Sequence, residues 1–378
     1  MLTTAYAATV KLPGTPLQGG IKPLIRSARL GAPIKLAGSG GDTWIAAWAD
    51  DDNLYVTSDD TSGFDNACGK SASNLAVNRL TGAMPPQLRG ETVNCMKVYG
   101  VGSETKKEDG GMWKACGITC VDGVLYMGIS RQLTCPTEPN FMWEGRYSPF
   151  PIQETWDSSI ISSSDHGKSW SSMPELGHPM FAGRSFSTPF FVQHGKDGKG
   201  QDDSDSYIYA VSNDGAWNNG NWMTLGRVRR DRIHRLDVRD WEFTHGFDDK
   251  QQPIWKPNHS GALYIFRAPG QTSMAGIHYL APLRRYILPQ WHYTRLDDLN
   301  RRWDATRWDF YEAPAPWGPW TLFYSQNFEP EGWYNPSIPS KFISSDGKSI
   351  WLFTAGNFIR PELNLYGLWM VPMTLEIA

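Results

Sequence analysis

The chain has 378 residues, including 18 Trp, 15 Tyr, 16 Phe, 37 Gly and 26 Pro, and only 20% of its side chains are charged. Such aromatic, Gly and Pro content excludes a coiled coil, a helical bundle and a disordered chain, and points to an all-β fold whose surface aromatics have a use. The 36 Lys and Arg against 39 Asp and Glu leave a net charge of −3, with no footprint for nucleic acid or an anionic membrane.

A three-strand phrase recurs in chain order. Each copy opens on a polar residue, turns at Asp or Gly, continues as an apolar-aromatic run and is followed by a third strand. The first copy reads Asp42 to Ala49, a turn at 50–53, Leu54 to Thr57, then Asn74 to Leu80. The second reads Lys114 to Cys120, Val124 to Ile129, then Ser159 to Ser164. Arg184 to Val192 opens the third, followed by a long turn over 196–205, Tyr207 to Val211 and Met223 to Val228. The fourth reads Ser273 to Tyr279, Arg285 to Gln290, then Trp308 to Ala313. The fifth reads Asn335 to Ile343, a turn at 345–348, Ile350 to Thr354, then Leu365 to Met370.

Short strands and turns repeated as units are the signature of radial repetition. The expectation is a single β-propeller domain spanning residues 1–378, with five blades, or six or seven if long loops hide strands. Leu24 to Leu36 and Leu365 to Ile377 are placed to share a blade and close the ring. The basic run at 227–235 reads as a solvated strand edge or short helix, interrupted by Asp231.

No CxxC and no His spacing fits a zinc site. Of Cys68, Cys95, Cys116, Cys120 and Cys135, Cys68 is open to pairing with Cys95 or Cys135. No stretch approaches the roughly 18 apolar residues of a membrane span. Met1 to Val10 lacks the apolar core of a signal peptide, so an extracellular location is inferred from function rather than from a leader.

In a propeller, the start of each innermost strand and the end of its neighbour lie on one face. Those positions are Asp42 and Asp60, Lys114 and Arg131, Arg184 and Asp214, Ser273 and His292, Asn335 and Asn357: a ring of polar residues. Asp42 and Asp60 end adjacent strands, as glycoside hydrolysis requires of two carboxylates, with Asp214 as a third candidate acid. Asp50, Asp51, Asp52 and Asp59 read as turn or solvent residues. Lys114, Arg131 and Arg184 suit a uronate carboxylate, with His292 and Tyr293 or Tyr334 as acid and base of a β-elimination. Trp217 and Asn218, and Trp333, Tyr334 and Asn335, suit stacking and hydrogen bonding to sugar rings.

The eight residues Ser163 to Trp170 fit S-x-D-x-G-x-x-W and resemble the Asp box of sialidase-type propellers, with a shorter echo from Ser345 to Trp351. The phrases Gly41-Asp42-Thr43-Trp44, Trp48-Ala49-Asp50-Asp51, Asn53-Leu54-Tyr55 and Asp60-Thr61 resemble the opening of a former unknown-function propeller family that includes endo-D-arabinanases. The resemblance implies that Asp42 and Asp60 are the catalytic pair; Asp59 stands where that family has Gly. Some propellers of similar look are polysaccharide lyases, including a fungal enzyme cutting rhamnose from glucuronate.

Three functions follow as expectations: a carboxylate-pair glycoside hydrolase, a polysaccharide lyase, and a non-catalytic glycan-binding propeller. Each takes a polysaccharide or oligosaccharide partner. A monomer is expected, with no metal in the chemistry and no cofactor, although the oxygen ligands on the polar face would admit a structural calcium without a calcium-loop motif.

Overall fold

The computed structural model describes residues 22–69, 72–101, 111–134, 141–143, 146–148, 153–200, 206–295 and 302–378. Antiparallel sheets follow one another along the chain as the five blades of a β-propeller. Among the described residues no helix is long and apolar enough to cross a membrane.

Blade one starts with an interrupted inner strand, Ser39–Asp42 and Ala46–Trp48. Both pieces pair with Leu54–Phe64, which is followed by Ser73–Thr81 and Arg89–Asn94. Blade two is Gly111–Val121, Val124–Thr134 and Gln153–Ser163. Blade four is His278–Leu280, Arg285–Tyr293, Thr306–Ala313 and Thr321–Phe328.

Blade three departs most from the sequence reading. Its inner strand shrinks to Phe190–Phe191, although the run from Arg184 to Val192 reads as a full strand. The reason is crowding: the Gly117 amide donates to the Pro189 carbonyl at 3.0 Å, and a Cβ on Gly117 would sit 2.6 Å from the Phe190 Cα. Blades two and three touch through backbone here. Blade three also carries Trp241–Phe247, Pro253–Lys256 and Tyr264–Thr272, strands absent from the three-strand phrase. They account for the longest spacing between blade openings.

Blade five runs Tyr334–Ser337, Ser349–Ala355, Trp369–Ile377, and then Ile25–Leu30 as its outermost strand. Ala28 pairs with Leu375 and Leu30 with Met373, so the two ends of the described chain close the ring in one sheet. The third strand begins at Trp369, not Leu365; residues 357–366 instead form a loop.

Most buried apolar residues form one core running through all five blades, with Trp44, Trp291 and Trp308 among its largest members. A second core under blade three centres on Phe181, Phe186, Trp241 and Phe243. Cys68 is bonded to Cys95, while Cys116 and Cys120 are buried thiols; Cys135 lies outside the described residues. In the turn at 163–170, Asp165 accepts from the Ser169 amide and hydroxyl at 2.9 and 2.6 Å, and the Trp170 indole donates to the Gly167 carbonyl at 3.1 Å. Those bonds, Ser169 first, hold Asp165 down to about 2. The basic run at 227–235 becomes a short 3-10 helix, Arg230–Arg235, preceded by Arg229 paired with Asp231.

Ring closure depends on a buried carboxylate. Glu312 of blade four accepts from the Ile25 amide at 2.8 Å and holds Arg285 at 3.2 Å. Glu312→Ala strands a buried amide of the closing strand and is expected to cost ~1–3 kcal/mol. Urea unfolding should show a lower midpoint at unchanged slope; an unaltered midpoint would remove Glu312 from the closure.

Candidate active site

The site begins with a break in strand regularity. Successive residues of a strand point to opposite faces. In blade one Asp42 lies directly across from Asp59, with a register shift just before it. The next residue on the facing strand, Asp60, adopts φ 41°, and Thr43 adopts φ 55°. Left-handed backbone at a non-glycine residue costs on the order of 1–2 kcal/mol and needs support. Thr61 supplies it: its hydroxyl donates to the Gly40 carbonyl at 2.5 Å and accepts from the Gly63 amide at 2.9 Å. With alternation broken, Asp59 and Asp60 both act on the same partner, Lys114.

Lys114 arrives from the inner strand of blade two. Its side chain is 3% exposed, and Nζ lies 2.5 Å from Asp60 Oδ2. Burial works against its charge, but Asp60, Asp59 and Asp42 together hold its pKa above the ordinary lysine value. Asp59 is 1% exposed; its Oδ1 accepts from the Ala115 amide at 2.9 Å, and its Oδ2 has no hydrogen-bond partner among the described residues. Burial pushes Asp59 well above the usual carboxylate range, against the pull of Lys114.

Asp42 differs from both. Its Oδ2 accepts from the Tyr334 hydroxyl at 2.7 Å, and its Oδ1 faces the Thr43 hydroxyl at 3.2 Å. Burial, then the Asp60 charge, push it up to about 6, against Lys114 and Tyr334. Burial and the Asp42 charge in turn raise Tyr334 and Tyr366 well above the usual phenol range.

These groups share one cavity of ≈ 610 Å³. Its walls are Asp42, Asp59 and Asp60 from blade one, Lys114, Gln132 and Gln153 from blade two, and Trp217 from blade three. Trp291 and Tyr293 come from blade four; Tyr334 and the loop bearing Asn357, Phe358, Arg360, Pro361, Asn364, Leu365 and Tyr366 come from blade five. A single cavity touched by every blade is what a propeller offers a ligand.

Of the residues singled out from sequence, Asp42, Asp60, Lys114, Trp217, Tyr293, Tyr334 and Asn357 line this cavity. The others are placed outside its lining. Asp214 accepts from the Asn221 amide and side chain, both at 2.9 Å, and burial raises it to about 6 against those bonds. Arg131 donates to the Gly111 carbonyl at 2.5 Å and stacks over Trp113. Arg184 pairs with Glu154 at 3.0 Å and lies over Trp156. His292 is buried 3.8 Å from Asp309, and burial lowers it to about 4 despite that carboxylate. Asn218 donates to Gln153 at 2.8 Å and so braces a cavity residue from behind. Trp333 packs edge-on against Trp369, with ring centroids 5.0 Å apart. Asn335 is buried at φ 51° beside Tyr334.

The sequence reading missed Asp59, Gln132, Gln153, Trp291 and, Asn357 apart, the blade-five loop. Asp59 corrects its assignment to turn or solvent, since it is a buried strand residue facing Lys114. Among the described residues, Asp50, Asp51 and His166 form a group close enough to share a metal ion. They are already engaged: Asp50 with His166 at 2.8 Å, and Asp51 with Asn53 and with Tyr55 at 2.8 Å.

No family model matches the chain, and no curated protein matches it by sequence. Solved structures do resemble it. A hydrolase candidate from Bacteroides ovatus superposes with a TM-score of 0.52 at 13% identity, covering 90% of this chain and 87% of that one. An endo-arabinase from Bacteroides thetaiotaomicron gives 0.43 at 11% identity, over 91% and 97% of the two chains. The RS223 β-xylosidase gives 0.42 at 12% identity, over 91% and 94%. Of these three, the first alone exceeds one half, and what it supports is the fold.

The electrostatics of the cluster are open to test. A carboxyl whose pKa rises on folding contributes stability below its unfolded value of 3.8, and loses it as pH rises through about 6. Lys114→Met removes the one ammonium of the cluster, so Asp42 should titrate higher still. The loss of stability relative to the parent should then grow from about pH 4 to about pH 8. Denaturation midpoints across that range check it; a pH-independent difference would contradict the coupling.

Proposed function

We propose that this protein is a glycoside hydrolase acting on a neutral oligosaccharide or polysaccharide, with Asp42 as general acid and Asp60 as base or nucleophile. The observation that carries the reading is the unequal environment of two carboxylates on one cavity. Asp42 is pushed up to about 6 by burial and by Asp60, whereas Asp60 sits against the Lys114 ammonium at 2.5 Å. Glycosidic cleavage requires this division: one carboxyl protonates the leaving oxygen while a charged carboxylate activates water or attacks the anomeric carbon.

Charge on the cavity wall supports a neutral substrate. Its two cations, Lys114 and Arg360, are paired with Asp60 and with Asp304, the latter at 2.6 Å. Each is neutralised by its partner, so neither offers a free positive charge to a uronate. β-Elimination finds less support: His292 and Arg184 stand outside the cavity lining, and Tyr334, already donating to Asp42, is held far from the phenolate a base would need. The Cys68–Cys95 bond fits the oxidising compartment of an extracellular enzyme.

Asp42→Asn and Asp60→Asn should each lower kcat/KM by ~10²–10⁴-fold on whichever neutral glycan of a broad panel is turned over. Circular dichroism should show both variants folded. New reducing ends without ultraviolet-absorbing product are expected; an unsaturated uronate product would replace this reading with elimination. For the parent protein, activity should fall tenfold per pH unit above about 6, as Asp42 loses its proton. A profile flat through pH 8 would remove Asp42 from the acid role.

A further inference from the structure

Six aromatic rings run in contact along the cavity. Tyr334 meets Trp291 with ring centroids 5.5 Å apart, Trp291 meets Tyr293 at 5.3 Å, and Tyr293 meets Trp303 at 4.7 Å. Trp303 then meets Phe358 at 5.6 Å, and Phe358 meets Tyr366 at 6.4 Å. Both ends of this arc return to the Asp42 and Asp60 pair, because the Tyr334 hydroxyl donates to Asp42 Oδ2 at 2.7 Å and the Tyr366 hydroxyl donates to the Asp60 backbone carbonyl at 3.1 Å.

One member differs. Tyr334, Trp291 and Tyr293 are buried, whereas Phe358 is 46% exposed. A single exposed phenyl ring on a surface needs no explanation. Phe358 lies on the cavity wall with the catalytic carboxylates, and its loop is tied down on both sides of it. On one side, Asn357 donates to the Pro330 and Glu331 carbonyls at 2.7 and 3.1 Å. On the other, the Arg360 amide donates to Asn357 Oδ1 at 3.0 Å, and its guanidinium grips Asp304 at 2.8 and 2.6 Å. Trp303 and Tyr366 support the ring from its flanks. The conformational entropy of holding an aromatic face toward the cavity is therefore lost on folding, not on binding.

A preordered aromatic face beside a polar wall matches the chemistry of a sugar ring, whose axial C–H groups make an apolar face and whose hydroxyls make a polar edge. Arg360 is committed to Asp304, so the wall around Phe358 offers that ring stacking, not charge. We propose that Phe358 is the stacking platform of a second sugar subsite, holding the neutral unit next to the one whose bond is cleaved at Asp42 and Asp60. This rests on the hydrolase reading above and deepens it: the substrate is an uncharged glycan of at least two units, recognised partly through the blade-five loop.

The test compares the parent protein, Phe358→Ala and Phe358→Trp on neutral pentose and hexose oligosaccharides of two to six units, and on glycosyl fluorides carrying one sugar. Phe358→Ala should lose about tenfold in kcat/KM on oligosaccharides, mainly through KM, the scale of one lost aromatic contact. Turnover of a glycosyl fluoride, which carries no second unit or ring to stack, should fall by less, and Phe358→Trp should restore oligosaccharide activity. An active parent with an unaltered Phe358→Ala sinks the subsite alone, as does a loss that is equal on both substrate types or that Trp does not rescue. A folded parent that turns over none of these probes overturns the hydrolase reading and the subsite with it.

Discussion

A lysine ammonium enclosed by three aspartates at the seam of blades one and two organises this molecule's chemistry. Taking Lys114 out of water is unfavourable, and so is crowding Asp42, Asp59 and Asp60 together; each cost is offset only while the other is present. The cluster therefore requires the inner strand of blade two to lie in one register against blade one. The bond from the Ala115 amide to Asp59, one residue beyond Lys114, holds that register. Three carboxyls against one ammonium crowd negative charge together, and burial raises both Asp42, to about 6, and Asp59, well above the usual carboxylate range.

An asymmetry between Asp42 and Asp60 ties fold to function. The Asp60 carboxylate sits on Lys114, whereas Asp42 accepts from the Tyr334 hydroxyl, and the Tyr366 hydroxyl donates to the Asp60 backbone carbonyl beside it. Both phenols come from blade five, the blade that the N-terminal strand completes. Closure of the ring thus sets the environment of Asp42, while the seam between blades one and two sets that of Asp60. The aromatic arc through Trp291, Tyr293, Trp303 and Phe358 joins blades four and five into the remaining wall. The same rings that pack the blades also shape the space where a sugar would lie.

Much of this was legible in the chain because it rests on short-range pattern. Alternating apolar runs with Asp-Gly turns marked the blades, and an Asp at the start of one inner strand and another at the end of its neighbour marked the pair. Several errors were off by one residue. The ring positions Arg131, His292 and Asn335 are immediate neighbours of Gln132, Tyr293 and Tyr334, which do line the cavity. A slip of one residue in a strand moves a side chain to the opposite face, and bulges such as those near Asp42 and within Gly111–Val121 make such slips invisible to period counting.

The loop at 357–366 was unreadable for a different reason. Its Leu-Tyr-Gly-Leu-Trp run has strand character, and only the bonds to Glu331, Asp304 and the Asp60 carbonyl draw it into the cavity. Asp59 looked like a turn residue because nothing local distinguishes a buried Asp from a solvated one; its burial is decided by a lysine 55 positions away. By itself the sequence determined the five-blade all-β architecture, the strands that close the ring and the placement of Asp42 and Asp60 on one face, all of which follow from periodicity and turn chemistry. Which polar groups meet, which carboxyl keeps its proton and which aromatic ring stays open to a ligand were decided by tertiary structure. Those properties depend on desolvation and on Coulomb interactions between strands far apart in the chain.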